Sequence, residues 1–119
     1  MTPPKRYPAT QAVDAAQVAH LKKAGKPLFE LGMVYGTPSV LKHLEAHGLY
    51  PNALLGAHCH GDYGLVDEDD WKANDRAVVD GSRILSSYTV EGERVWIITE
   101  SVNEQGVRPS TTLLKPSEY

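Results

Sequence analysis

Ile84-Leu85-Ser86-Ser87-Tyr88-Thr89-Val90-Glu91-Gly92-Glu93-Arg94-Val95-Trp96-Ile97-Ile98-Thr99 is the stretch whose reading decides the fold. Ile84, Ser86, Tyr88 and Val90 alternate with Leu85, Ser87 and Thr89, the two-residue period of a β-strand. From Arg94 to Ser101 the same period returns, with Val95, Ile97 and Thr99 on one side and Trp96 and Ile98 on the other. Glu91-Gly92-Glu93 between the two runs predicts a tight hairpin. Both faces of this hairpin carry apolar residues, which leaves open a covered second face or a homodimer contact.

Towards the C-terminus, Asn103-Glu104-Gln105-Gly106 reads as a turn and Thr111 to Leu114 as a last strand stopped by Pro116, which completes a three-stranded meander. Towards the N-terminus, Asp67 caps a helix whose first turn is acidic, where the helix dipole favours anions. Trp71, Asn74, Ala77 and Val78 share one face of that helix, and Gly81 closes it. Pro51 opens a short helix ending near His58–His60. Thr37-Pro38 starts another, with Val40, Leu41 and Leu44 buried and Gly48 as its stop. Phe29, Leu31, Met33 and Tyr35 alternate through 28–35 as a first strand, and Thr10 caps a helix running to about Ala24. Residues 1–9, rich in proline, form an extended arm, and 10–119 form one domain. The order is helix, strand, three helices, then three strands. It predicts an α+β fold, with helices packed on one face of a mostly antiparallel sheet of about four strands.

The chain has 119 residues, 41% of them apolar and 23% charged, which suits one soluble globular domain and excludes disorder. No run is long and apolar enough for a membrane span, and the N-terminus lacks the apolar segment of a secretory signal. Cys59 is the single cysteine, so no intrachain disulfide can form, and a cytoplasmic location is expected. The net charge of −3 is uneven. Between 58 and 80, Asp62, Asp67, Glu68, Asp69, Asp70, Asp75 and Asp80 face only Lys72 and Arg76. Nucleic acid is a poor partner for that middle, because Lys and Arg on phosphate supply most such affinity. A basic protein partner suits it better, with Asp69, Asp70 and Asp75 as contacts and Tyr63 or Trp71 as aromatic anchors.

Several of these segments, taken together, resemble a family of small bacterial proteins carried on plasmids, integrated elements and gene cassettes. They are Gly36-Thr37-Pro38, His58, Gly61-Asp62-Tyr63-Gly64, Ala73-Asn74-Asp75, Gly81-Ser82-Arg83-Ile84-Leu85-Ser86, Trp96-Ile97-Ile98-Thr99-Glu100 and the closing 111–119. The likeness spans roughly 28–119. Cys59-His60 stands where that family usually has Val-Arg, and Tyr63 where it has Trp. The resemblance implies a mobile-element accessory protein and carries no activity with it.

Chemistry, if present, must pass through His58-Cys59-His60-Gly61-Asp62. Two imidazoles and a carboxylate, His58, His60 and Asp62, are ligands that zinc or another divalent metal accepts, and His-x-His-x-Asp resembles the start of the metallo-β-lactamase metal motif. That motif continues with a histidine where this chain has Tyr63, and no histidine follows His60. A second catalytic idea is a small ribonuclease with His58 as general base and Arg83 or Arg94 on the phosphate, or another hydrolase using His58 with His60 and Asp62. Local physics favours a plainer reading without a cofactor. Gly61 and Gly64 allow a turn, Asp62 folds onto nearby amides, and His58 packs beneath. On that reading the protein acts by binding.

Overall fold

A computed structural model describes residues 15–119 of the chain. The expected arm and the Thr10 cap lie outside the described residues. The described chain runs α1 (Ala15–Lys23), β1 (Met33–Gly36), α2 (Pro38–Ala46), α3 (Pro51–Cys59), α4 (Glu68–Asp80), β2 (Ile84–Val90), β3 (Glu93–Thr99) and β4 (Ser110–Leu114). A 3₁₀ turn, Pro116–Glu118, follows.

The class is α+β, and the sheet order is β1-β4-β3-β2. β2, β3 and β4 form the expected antiparallel meander, but β1 pairs parallel to β4, so the sheet is mixed. The hairpin closes over two residues, Glu91 at φ 48° and Gly92 at φ 81°. Both positive dihedrals match the right-handed twist of the strands they join.

The first strand is shorter than its alternation suggests. Leu28 donates its amide to Cys59 O at 2.7 Å, so the chain there runs along the end of α3. Gly32 turns at φ 67°, and any side chain there would overlap the Arg108–Pro109 backbone. Only after that close approach does Met33 join the sheet. The helix signals act as read: Thr37 accepts from the Val40 amide, Asp67 accepts from the Asp70 amide, and Gly81 ends α4 in the left-handed conformation.

Register places Ile84, Ser86, Val90, Val95, Ile97, Thr99, Thr111 and Leu113 on one face. Val40 and Leu44 of α2 and Leu55 of α3 pack there, and all three are buried. Tyr63, Ala77 and Ile84 nucleate a second cluster beside α4, with Phe29, Trp71 and Val78 around it. On the opposite face Trp96 meets the ring of Tyr119 edge-on at 5.7 Å, so the C-terminal turn covers that side of the hairpin. No helix among the described residues is long and apolar enough to cross a membrane.

Candidate functional site

His58 lies in the last turn of α3, with no solvent exposure, and faces the sheet. Its Nδ1 is 2.6 Å from Ser86 Oγ and its Nε2 is 2.8 Å from Thr99 Oγ1. Thr99 Oγ1 lies 2.7 Å from Thr111 Oγ1, which donates to the Leu31 carbonyl at 2.7 Å. Proton counting orients the whole chain. Thr111 has spent its hydrogen on Leu31, so Thr99 must donate to Thr111. Thr99 therefore accepts from His58 Nε2–H, and Ser86 donates to the bare Nδ1. His58 is the neutral Nε2–H tautomer.

Burial holds the imidazole neutral down to about pH 3, and the nearby positive charge of Arg108 pushes in the same direction. Phe29 seals the ring edge-on at 5.1 Å. Arg108 is itself buried, donating to the carbonyls of Ser82, Glu100 and Ala77. A histidine with both nitrogens engaged and no path to solvent ties α3 to three strands and cannot reach a substrate. The ribonuclease constellation fails on topology as well. Arg94 points to the opposite face, where it donates to Ser87 Oγ, and Arg83 stacks over Tyr119.

The remaining residues of the expected metal trio do not converge on His58. His60 is exposed and its Nδ1 donates to Gly56 O at 2.6 Å, while Asp62 Oδ1 accepts from the Gly64 amide at 3.2 Å. Among the described residues no three His, Cys, Asp or Glu side chains gather as metal ligands. Cys59 is buried, which pushes its thiol above the ordinary range and away from the reactive thiolate.

The glycine-rich loop has a definite task. Tyr63 O accepts from the Ser87 amide at 3.1 Å and the Leu65 amide donates to Ser87 O at 2.6 Å, so the loop adds a short parallel bridge to the outer edge of β2. Gly64, at φ 74°, must lack a side chain because Ser87 O and the Tyr88 ring occupy that space. Tyr88 fastens the loop again, donating to Asp62 O at 2.5 Å.

Two of the expected binding residues are spent internally. Tyr63 is fully buried, so it offers no surface to a partner; its hydroxyl donates to Asp75 Oδ1 at 3.1 Å. Asp75 in turn pairs with Lys22 of α1 at 2.9 Å, and Lys22 lies over the rings of Tyr63 and Trp71. Trp71 is half-buried, edge-on to Tyr63 at 5.2 Å. This knot docks α1 onto α4.

Asp69 and Asp70 are different: both are exposed at the start of α4, as are Asp67 and Glu68 next to them and Asp62 in the preceding loop. Within this group Glu68 has a salt bridge, to Lys72 at 3.3 Å, and Leu65 stands 57% exposed beside it in sequence. The hydroxyl chain under His58 was missed by sequence reasoning, although one signal was present. Ser86 and Thr99 fall on the apolar side of their strands, and hydroxyls in a core-facing set need buried partners. Compared with models of protein families, with curated proteins and with solved structures, the chain matches none.

Proposed function

We propose that this protein is an interaction module that binds a basic protein surface through the start of α4 and the loop before it. One observation carries the reading: Asp62, Asp67, Glu68, Asp69 and Asp70 are all exposed, and exposed Leu65 lies among them in sequence. The helix dipole accounts for anions in a first turn, and Asp67 serves as the cap. Neither explains an apolar side chain left in water beside them. Exposed carboxylates with an exposed leucine near them in sequence fit a partner whose Lys and Arg steer the encounter and whose apolar groups hold it. A hydrolytic role for His58 is the weaker reading, because that ring is sealed. Membership among mobile-element accessory proteins rests on the sequence resemblance.

The test uses a Lys/Arg-rich peptide with interspersed leucines as probe, with binding followed by calorimetry at two salt concentrations. Asp69→Asn with Asp70→Asn should weaken binding by about tenfold and flatten its salt dependence. Glu45→Gln with Glu104→Gln removes the same charge elsewhere and should leave binding nearly unchanged. Equal losses in both pairs would sink the proposal. Asp75 is unsuited to this test, since neutralising it would undo the Lys22 pair.

A further inference from the structure

The two edges of the sheet are treated differently. Along β2, the side-chain amide of Asn74 pairs with the backbone of Leu85, and the Tyr63–Leu65 segment pairs with Ser87. The β1 edge has no such cover among the described residues. Met33 N donates inward to Pro109 O and Thr37 N to Leu113 O, so by strand alternation Val34 and Gly36 turn their amides and carbonyls outward. Apolar surface collects there too. Met33, Val34 and Tyr35 are 64%, 44% and 54% exposed. Leu41, Leu49 and Tyr50 are also exposed and line a groove of about 450 Å³ along α2.

The geometry points to β1 as the contact of a homodimer, two copies pairing antiparallel across a two-fold axis at Tyr35. This surface lies at the opposite edge from the acidic face and is independent of it. The register follows from the backbone: with Val34 opposite Gly36 of the second copy, both outward residues exchange hydrogen bonds, and the mate repeats them. Tyr35 then lies directly across from its own copy as the close, non-hydrogen-bonded pair. On the helix-covered face, Leu41 overhangs the missing side chain of Gly36. That leucine of the same chain accounts for the glycine, and the partner's Val34 would pack against it.

Area supports a real but modest association. Met33, Val34, Tyr35, Leu41, Leu49 and Tyr50, each partly exposed, together present on the order of 500 Å² per chain. Two copies would thus bury about 1,000 Å² in all, the threshold of a specific but weak interface. An interface this small is expected to dissociate on dilution through the roughly micromolar range.

The experiment is sedimentation velocity of the full chain from 2 to 200 µM, with Val34→Lys as the edge-blocking variant, and oxidation of Tyr35→Cys in a Cys59→Ala background. Expected are a dimer that dissociates on dilution, at least a tenfold weaker one in Val34→Lys, and rapid disulfide cross-linking of Tyr35→Cys but not of Leu65→Cys. Hydrogen exchange of unmodified protein should show Val34 and Gly36 amides protected only at high concentration. A monomer at 200 µM, a dimer indifferent to Val34→Lys, or protection of both amides at a concentration where sedimentation shows only monomer would overturn the proposal. That last result would identify this chain's own N-terminal residues, or another segment in cis, as the cover.

Discussion

Asn74 stands in for a strand beside Leu85. Its side-chain NH₂ donates to Leu85 O at 2.8 Å and its side-chain carbonyl accepts from Leu85 N at 3.2 Å, the two bonds that a neighbouring strand would make. The amide is 6% exposed, so water does not substitute for it.

Asn74→Leu should therefore cost about 2–4 kcal/mol, since two buried backbone groups lose their partners together. Asn74→Asp keeps the acceptor but sets a carboxylate against the Leu85 carbonyl, and should fall in the same range at pH 7. Urea denaturation measures both. A loss below about 0.5 kcal/mol for either would mean that the edge is closed by something else.

Gly64 and Gly56 make opposite predictions from the same substitution. At Gly64 the backbone sits at φ 74° and a methyl would overlap Ser87 O, so Gly64→Ala should cost more than about 3 kcal/mol and loosen the loop from β2. Gly56 lies within α3 with open space around a built side chain, so Gly56→Ala should add about 1 kcal/mol. Thermal melts of both variants test the loop as a structural device; similar shifts in the two would refute it.

The parts of the fold that depend on neighbours in sequence were readable: Thr37 and Pro38 start a helix, Asp67 caps one, Gly81 stops it, and Glu91-Gly92 turns a hairpin. The parallel pairing of β1 with β4 was not, because residues some 77 apart carry no local mark of their register. Apolar alternation through Phe29 and Leu31 imitated a strand, and only the approach of Gly32 to the Arg108–Pro109 backbone explains why pairing starts at Met33. In the candidate site, the exposed acids of α4 were legible from composition. The inward turn of Tyr63 and the spending of Asp75 on Lys22 were not, since both depend on where α1 docks.

Glu91 holds a left-handed conformation at φ 48°, where Cβ crowds the following carbonyl oxygen. Asn suits the first position of such a turn. Glu91→Asn should raise stability by about 0.5–1 kcal/mol, a melting shift of a few degrees. The contact it gives up, with His47 at 3.9 Å, is solvent-exposed and worth little. A fall in melting temperature would show that this contact matters more than the backbone strain.

His58 makes stability depend on pH in a calculable direction. In the folded chain it stays neutral down to about pH 3, against an ordinary value of 6.5 in the unfolded chain. Between those values the unfolded chain binds a proton that the folded chain does not. Stability is therefore full above about pH 6.5 and is lost as pH falls, at up to about 1.4 kcal/mol per pH unit. His58→Gln keeps a donor and an acceptor but cannot titrate. At pH 7.5 it should be about 1–3 kcal/mol less stable, because amide geometry fits Ser86 and Thr99 less well than the ring. Between pH 7.5 and pH 5 the gap should shrink by about 2 kcal/mol, since only the parent loses stability to this proton. Urea midpoints at the two pH values read that difference with the other titrating groups common to both chains. A gap independent of pH would mean that the folded imidazole takes up its proton as readily as the unfolded one; a gap that widens toward pH 5 would mean a charged imidazole, with Nδ1–H donating to Ser86 Oγ and the order from Thr99 to Leu31 unchanged.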